Sequence, residues 1–214
     1  GRRVLVSAGP TREWLDPVRF LSNPSSGRMG VAVAEAARDR GADVTLVHGP
    51  LQVPSPHAVE GVAVETAEEM LGALAPRFSA CDALVMTAAV ADWRPLERAR
   101  EKEPKTGERR ELALVRTPDV LEALRPARRR QVVVGFAMET DQGVERAADK
   151  ARRKGLDFIL LNYPTRTGSG FGGDANEVTW VAPDGAHEAW PHASKRDVAE
   201  RILDRIVPLL RDAD

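Results

Sequence analysis

The sequence has 214 residues, of which 43% are hydrophobic, and its 31 Lys and Arg nearly balance its 32 Asp and Glu. Balanced charge excludes the broad positive field of nucleic-acid-binding proteins, one cysteine excludes a disulfide framework, and no apolar run approaches the roughly 18 residues that span a bilayer. We expect a cytoplasmic enzyme or binding protein of one domain, residues 1–214, with neither nucleic acid nor membrane as partner.

Short apolar runs alternate with longer amphipathic ones along the chain. A strand at 3–8, a helix at about 26–40 and a strand at 42–49 predict a βαβ unit. Further strands are predicted at 62–66, 82–89, 112–115, 132–137 and 157–162. Further helices are predicted near 67–78, 117–124 and 141–154. A hairpin through 177–190, with a Pro-Asp-Gly turn, precedes a last helix at about 194–211.

This alternation predicts an α/β fold with a Rossmann-like, mostly parallel sheet, helices on both faces and a C-terminal β-hairpin. Ligands of such folds bind beyond the carboxyl ends of the strands. Three connections are long or rich in Gly and Pro, at 9–25, 89–111 and 163–176. We expect these connections to carry the function.

The segment NPSSGRMG, residues 23–30, resembles a phosphate site in outline. Ser25 and Ser26 can cap the following helix, while Gly27 and Gly30 let a ligand approach the backbone. An ordinary N-cap with a glycine kept for packing fits the same residues. The preceding loop favours the phosphate interpretation because it concentrates polar side chains, namely Thr11, Arg12, Glu13, Asp16, Arg19 and Asn23.

A nicotinamide cofactor is the main alternative ligand for such a βαβ unit. The glycine spacing departs from G-x-G-x-x-G, however, and no acidic residue follows the second strand to bind a ribose. Tyr163, the one tyrosine, has Thr167 rather than a lysine four residues later. An NAD(P)-dependent oxidoreductase and a non-catalytic nucleotide-binding dimerisation module stay open as alternatives.

Lysine is scarce, with five residues against 26 arginines. Lys102 and Lys105 lie in a long polar loop, and Lys150 and Lys154 lie one turn apart near a helix end. Any one of them would also fit a solvated surface position. Because arginine is the common cation of this chain, we interpret these lysines as candidate polyphosphate ligands.

Metal ligands are harder to choose from the sequence. Asp92 and Asp119, at predicted strand ends, are candidates because Mg²⁺ commonly takes one or two protein carboxylates together with phosphate and water. The four histidines show no metal-ligand spacing. The metal ligands therefore stay unknown at this point.

Seven segments, in order, resemble one known family. They are SAGPTREWLDPVRFLSNPSSGRMG, TAAVADWRP, KEPK, RTPDV, GFAMET, KARRKGLD and SKRDVAERI. Together they resemble phosphopantothenate–cysteine ligase, the second half of the bacterial bifunctional coenzyme A biosynthesis protein. The resemblance covers nearly the whole chain and leaves out the flavin-dependent decarboxylase half, so whether such a domain lies upstream in the natural protein stays open.

The resemblance implies a reaction in two halves. The carboxylate of 4'-phosphopantothenate attacks the α-phosphate of CTP and releases pyrophosphate, and the amine of L-cysteine then captures the acyl-cytidylate and releases CMP. The family's bacterial members act as homodimers with a divalent cation, which implies a homodimer and Mg²⁺ here. Positioning and charge neutralisation suffice for this chemistry, so no nucleophilic side chain is required.

The resemblance also implies individual roles. Asn23 matches the asparagine that handles the acyl-nucleotide intermediate, Arg19 would assist substrate binding, and Ala89 lies beside the acylated phosphopantothenate site. Lys102 matches the lysine of a mobile flap with the pattern K-x-K-K, in which this sequence has Pro104 in place of a lysine.

A larger set of positions is expected to bind the nucleotide. Those implied for CTP by the resemblance are Met86, Thr87, Ala88, Asp92, Pro118, Asp119, Val120, Leu121, Phe136, Lys150 and Lys154. Those expected from the helix start and the loop charge are Ser25, Ser26, Gly27 and Lys102. Taken by itself, Phe136 fits a core aromatic equally well.

Overall fold

The computed structural model describes residues 1–102, 104, 107–138, 143–162 and 175–211. The strands in these ranges are β1 (Arg3–Ala8), β2 (Arg12–Trp14), β3 (Phe20–Ser22), β4 (Asp43–His48), β5 (Glu60–Ala63), β6 (Ala83–Met86), β7 (Trp93–Pro95), β8 (Leu114–Arg116), β9 (Val132–Met138), β10 (Phe158–Asn162), β11 (Ala175–Val181) and β12 (His187–Ser194). The helices are α1 (Arg28–Asp39), α2 (Ala67–Phe78), α3 (Val120–Leu124), α4 (Gly143–Lys154) and α5 (Lys195–Arg211), and a 3₁₀ turn at Arg125–Ala127 follows α3.

The main sheet has eight strands in the order β12-β11-β10-β9-β6-β1-β4-β5. The six strands from β10 to β5 are parallel, and the hairpin β11–β12 adds two antiparallel strands at one edge. The parallel strands therefore have the doubly wound Rossmann order, which reverses direction between β1 and β6. The predicted fold class, including the C-terminal hairpin, is confirmed.

Helices cover both faces of the sheet, as predicted. On one face α1 and α5 pack on alternate side chains of the strands, such as Val6, Val85 and Leu160. On the other face α2, α3 and α4 pack on the intervening side chains, such as Leu84 and Leu161. The central strands β1, β6, β9 and β10 are thus apolar on both sides, which explains their nearly continuous hydrophobic runs in the sequence.

Some predicted elements differ from the structure. The strand predicted at 82–89 ends at Met86, and the one predicted at 112–115 is β8, which pairs with β7 outside the main sheet. The loop predicted at 9–25 contains the hairpin β2–β3. Three-residue strands are too short to show an alternating pattern, so these ribbons have no clear signal in the sequence.

Two features of the C-terminal part agree with the prediction. The hairpin closes through hydrogen bonds from Ala182 N to Ala186 O (2.8 Å) and from Gly185 N to Ala182 O (3.1 Å), and the last helix ends at Arg211. The connection predicted at 163–176 falls largely outside the described residues, with Tyr163 and Thr167. No helix in the described ranges combines the length and hydrophobicity of a membrane span.

Candidate active site

A cavity of about 860 Å³ opens at the carboxyl ends of the parallel strands, where the strand order reverses. Its lining comes from the start of α1, the segment that follows β6, the start of α3, and the ends of β9, β10 and α4. Of the residues expected at a site, it contains Asn23, Ser25, Ser26, Gly27, Met86, Thr87, Ala88, Ala89, Asp92, Pro118, Asp119, Val120, Leu121, Phe136, Lys150 and Lys154.

The start of α1 faces this cavity, but it is not capped as predicted. The N-cap residue is Gly27, with φ of 77° and no side-chain cap, so the expectation that Ser25 and Ser26 cap the helix is wrong. Ser25 instead accepts a hydrogen bond from Gly27 N at 3.4 Å. The left-handed conformation favours glycine at this position, and the positive end of the helix dipole is directed at the cavity.

Gly30 holds α1 close to the sheet. A Cβ atom at this position would lie 2.4 Å from the Ala8 side chain and 2.9 Å from the Ser7 carbonyl oxygen. We expect Gly30→Ala to lower Tm by about 2–12 °C, because overpacking costs about 1–3 kcal/mol and each kcal/mol shifts Tm by roughly 2–4 °C at this size. Gly72→Ala is the control, since its Cβ would meet no atom within 4 Å. Equal Tm values for both variants would contradict the close approach.

Much of the polar loop before α1 is structural, which corrects the functional interpretation of its side chains. Thr11 Oγ1 accepts a hydrogen bond from Ala91 N (2.9 Å), and Glu13 Oε1 accepts one from Ala67 N at the start of α2 (2.9 Å). Asp16 is fully buried and accepts from Arg19 Nε at 2.7 Å. Burial raises the pKa of Asp16, but hydrogen bonds from Arg19 and Val18 and the Arg19 charge outweigh it and lower the pKa to about 2.

Of the six polar side chains that the sequence concentrates in the loop before α1, Asn23 alone lines the cavity. Its Nδ2 donates hydrogen bonds to the carbonyl oxygens of Ala89 (3.3 Å) and Val90 (3.1 Å). Because carbonyl oxygens only accept hydrogen bonds, the NH₂ end of the Asn23 amide must face them, and this fixes the orientation of the amide. Asn23 therefore holds the segment after β6 against the start of α1.

The segment after β6 is held by several further hydrogen bonds. Thr87 Oγ1 donates to Ser7 O (2.6 Å), Ala88 N donates to Ser7 Oγ (3.2 Å), and Thr117 N donates to Asp92 O (3.0 Å). Ser7 of β1 thus holds Thr87 and Ala88 next to the sheet just after β6 ends at Met86. This places Asp92 in the wall of the cavity.

Lys154 and Asp119 form a partly buried ion pair in the cavity wall. Lys154 Nζ lies 2.7 Å from Asp119 Oδ2, and the lysine side chain is 11% exposed. Burial raises the pKa of Asp119, but the hydrogen bond and the charge of Lys154 outweigh it, so the net pKa is lowered. Asp119 also accepts from Glu122 N as the N-cap of α3, and Lys150 Nζ donates to Phe136 O (3.4 Å).

Two expected site residues lie outside the lining. Arg19 forms an ion pair with Asp16 (Nη2 to Oδ2, 2.5 Å), and Lys102 is exposed in the connection between β7 and β8. Lys105 falls outside the described residues.

The structure adds residues to the site that the sequence interpretation missed. Arg28, Arg116, Asn162 and Lys195 line the same cavity. Lys195 is the fifth lysine of the chain and lies in the last of the seven segments, so the scarcity of lysine could have identified it. Asn162 has no such signal, because a polar residue at the end of a buried strand resembles an ordinary strand terminus.

The charge of the lining is strongly positive. Among the described residues, the lining contains six basic side chains and two acidic ones, in a protein whose formal net charge is -1. Such a local excess raises the concentration of anions at the site. Within the described ranges, no group of three or more His, Cys, Asp or Glu is placed to hold a metal ion.

The strand order, together with a cavity at its reversal, places the chain in the class of Rossmann-like α/β domains. Residues 1–209 match the DNA/pantothenate metabolism flavoprotein C-terminal domain, and the chain belongs to this family.

Curated relatives extend beyond this chain. The coenzyme A biosynthesis bifunctional protein CoaBC of Bacillus subtilis (strain 168) is 41% identical over 210 residues, 98% of this chain and 52% of that protein. The CoaBC of Mycobacterium bovis is 41% identical over 222 residues, with 98% and 53% covered. A protein of an unknown prokaryotic organism, named cysteine/cysteine sulfinic acid decarboxylase, is 40% identical over 212 residues, with 98% and 59% covered. The chain thus spans about half the length of these relatives.

Solved structures agree with this assignment. The C-terminal domain of CoaBC superposes with a TM-score of 0.84 at 39% identity, covering 99% of this chain and 97% of that one. A Cab2 mutant in complex with phosphopantothenate-cysteine superposes with a TM-score of 0.78 at 18% identity, covering 99% and 87%. At that identity, the second comparison shows the shared fold alone.

Proposed function

We propose that this chain catalyses the CTP-dependent ligation of 4'-phosphopantothenate and L-cysteine through an acyl-cytidylate, in coenzyme A biosynthesis. One observation carries the proposal. The cavity at the sheet reversal brings together the segments from which the family resemblance draws its nucleotide and intermediate contacts. Family membership and the likeness to the CoaBC C-terminal domain support it.

The charge of the cavity suits these substrates. A nucleoside triphosphate and a phosphate monoester that also carries a carboxylate bring several negative charges to one site, and the basic excess of the lining offsets them. NAD(P) is a weaker fit because the residues after β4 lack an acidic ribose ligand.

The proposed chemistry proceeds by positioning. In the first half, a carboxylate oxygen of phosphopantothenate bonds to the α-phosphorus of CTP and pyrophosphate leaves. In the second half, the cysteine amine bonds to the acyl carbon, CMP leaves and the amine loses its proton. No Cys or His belongs to the described lining, which suits a reaction that needs alignment and charge neutralisation rather than a covalent enzyme intermediate.

The residues present fit a divalent cation held mainly by ligand phosphates. Among the described lining residues, Lys154 pairs with Asp119, so Asp92 is the carboxylate suited to hold Mg²⁺. Mg²⁺ usually needs only one or two protein carboxylates. When bound, Mg²⁺ would neutralise phosphate charge during transfer.

A coupled pyrophosphate assay tests the proposed reaction. We expect pyrophosphate release that requires both CTP and phosphopantothenate, followed by phosphopantothenoylcysteine once cysteine is added. ATP and NADP⁺ serve as comparison ligands. Absence of pyrophosphate with both substrates present would leave a non-catalytic module, and binding of NADP⁺ instead of CTP would favour an oxidoreductase.

Lys102→Ala is expected to lower turnover about tenfold or more while Tm stays unchanged. Lys102 is exposed and outside the cavity lining, so the role implied by the resemblance requires its loop to move toward bound triphosphate, where a charged hydrogen bond contributes about 1.5–3 kcal/mol. Steady-state kinetics and thermal unfolding measure the two effects. Unchanged turnover would remove Lys102 from the reaction.

A homodimer is part of the proposal. The ribbons β2–β3 and β7–β8 adjoin, and with their flanks they expose six large apolar side chains, namely Val18, Phe20, Trp93, Leu96, Leu112 and Leu114. Such a patch is typical of a protein interface, and Trp93 also lines the cavity.

The CoaBC relatives are named bifunctional and are about twice as long as this chain, which supports a decarboxylase domain as a further partner, fused or associated.

We expect Leu114→Glu to convert the dimer to monomers, because it places a charge in the apolar patch. Light scattering after size exclusion would then report a mass near 23.3 kDa rather than twice that value. Val207→Glu, at an exposed position on α5, is the matched control and should stay dimeric. A monomeric wild-type protein would contradict the proposal.

A further inference from the structure

Asp92 is the carboxylate that the proposed function assigns to Mg²⁺, and it is exposed in the cavity wall. Within the described ranges, no group forms an ion pair or a hydrogen bond with this carboxylate. From a fixed backbone, its χ1 angle has only a few staggered positions. The backbone at Asp92 therefore decides where the carboxylate can point.

Thr117, in the connection between β8 and α3, holds that backbone on both sides of Asp92. Thr117 N donates a hydrogen bond to Asp92 O (3.0 Å), and Thr117 Oγ1 donates one to Ala91 O (2.5 Å). These two carbonyl oxygens belong to the peptide groups on either side of the Asp92 Cα atom. Because peptide groups are planar, holding both of them restricts φ and ψ of Asp92 and so the direction of its Cα–Cβ bond.

Thr117 also belongs to the nucleotide side of the cavity. It is followed by Pro118 and Asp119, which line the cavity, and Asp119 is the N-cap of α3. Lys154 on α4 holds Asp119 in turn, with Nζ 2.7 Å from Oδ2. Thr117 thus joins the segment expected to hold the cation to the segment expected to bind CTP.

The buried residue Ala91 offers a comparison within the same segment. Its N–H donates to Thr11 Oγ1 (2.9 Å), while its carbonyl oxygen accepts from Thr117 Oγ1. Ala91 is 7% exposed, so the loss of either hydroxyl leaves a buried backbone group without that partner. Thr11, however, lies outside the cavity lining and bonds to neither of the peptide groups that flank Asp92.

We propose that Thr117 is a positioning residue that directs the Asp92 carboxylate toward a divalent cation carried by the nucleotide. The inference rests on the proposed function, in which Asp92 supplies a protein oxygen to Mg²⁺. Thr117 acts through Asp92 rather than on the nucleotide itself. Groups that orient a metal ligand in this way usually contribute about 10–100-fold to metal affinity.

Calorimetric titration with CTP, in Mg²⁺ and again in EDTA, measures this effect without turnover. Thr117→Val keeps the shape of the side chain and removes its hydroxyl. We expect this variant to raise the Kd in Mg²⁺ about tenfold and to leave the Kd in EDTA unchanged. Thr117→Ser keeps the donor and should match wild type. An equal rise of Kd in Mg²⁺ and in EDTA would show that Thr117 contacts the nucleotide itself and would overturn the positioning role.

A double variant shows whether Thr117 acts through Asp92. Asp92→Asn alone should abolish most of the gain in CTP affinity that Mg²⁺ provides. Adding Thr117→Val to Asp92→Asn should then change the Kd no further, because the group that Thr117 directs has already lost its charge. Additive losses of affinity would show that Thr117 acts independently of Asp92, which contradicts the inference.

Thr11→Val is the matched control, because it removes the other hydroxyl bonded to Ala91. Both Thr→Val variants should lower Tm, since each leaves one buried backbone group without its partner. Only Thr117→Val should reduce the gain in CTP affinity that Mg²⁺ provides. An equal reduction in both variants would make Thr117 a general anchor of the segment and overturn its specific role.

The remaining outcomes separate this inference from the proposed function. If Mg²⁺ tightens CTP binding equally in wild type and in Thr117→Val, the inference fails and the proposed function stands. If wild type binds CTP equally in Mg²⁺ and in EDTA, the metal role of Asp92 fails, and the role of Thr117 fails with it. If wild type does not bind CTP, the proposed function itself fails together with the inference.

Discussion

Replacing Asn23 with Asp is expected to slow product formation by about 10²–10³, the usual cost of losing one preorganised donor to a developing charge, because in the proposed role one Nδ2 hydrogen turns from its carbonyl acceptor to the acyl-cytidylate as cysteine attacks. The amide lies between the start of α1 and the carbonyl oxygens of Ala89 and Val90. A carboxylate there would face two carbonyl oxygens and the substrate phosphates. We expect cysteine capture to slow more than pyrophosphate release, so that the acyl-cytidylate accumulates and can be detected by quenched mass spectrometry.

Thr11→Val is the matched control for this experiment. Thr11 also holds the segment after β6, through Ala91 N, but it does not line the cavity. If Asn23 only anchors this segment, both variants should slow pyrophosphate release and cysteine capture equally and no intermediate should appear. Accumulation in Asn23→Asp alone would support a role in handling the intermediate.

The second large effect is expected at Lys154. Lys154→Gln should raise the Kd for CTP about 10–100-fold, because a hydrogen bond to a charged group contributes about 1.5–3 kcal/mol. The substitution also leaves the carboxylate of Asp119, now without its partner at 2.7 Å, facing the bound phosphates. Calorimetric titration with CTP measures the change, and Arg152→Gln, an exposed position on the same helix outside the cavity, should bind CTP as wild type does.

A double variant separates the two contributions of Lys154. If repulsion by Asp119 accounts for part of the loss, Lys154→Gln combined with Asp119→Asn should bind CTP more tightly than Lys154→Gln alone, because the uncompensated charge is gone. Equal binding by the single and double variants would show that Lys154 acts only by attracting the nucleotide. A Kd within twofold of wild type for Lys154→Gln would remove this pair from the nucleotide site.

The local pattern of apolar and turn-forming residues predicted the elements of the main sheet well. The apolar run at 157–162 and the Pro-Asp-Gly turn within 177–190 correspond to β10 and to the turn between β11 and β12. The same pattern did not predict the ribbons β2–β3 and β7–β8, because their three-residue strands are stabilised by contacts between residues that are distant in the sequence. Trp14 and Phe20 pack edge to face with ring centroids 5.1 Å apart, and no periodicity signals such a contact.

The candidate site was predictable where a residue type carried the signal. The scarcity of lysine pointed to Lys150 and Lys154 and the family resemblance pointed to Asn23, and all three line the cavity. The same reasoning over-interpreted Glu13 and Asp16. In a sequence, a polar residue that binds a ligand cannot be distinguished from one whose side chain hydrogen-bonds to the backbone. Only the fold shows that Glu13 serves the start of α2 and that Asp16 serves its own turn.

The sequence by itself determined the fold class, the family and the segments that form the site, because these depend on local periodicity and on motifs that are contiguous along the chain. The tertiary structure alone decided which side chains meet. It brought Asn162 and Lys195 to a cavity that also holds Gly27, and it turned Thr11 inward. The physical reason is that burial and hydrogen-bond partners depend on strand order and on which face each side chain takes, and neither is encoded in any single segment.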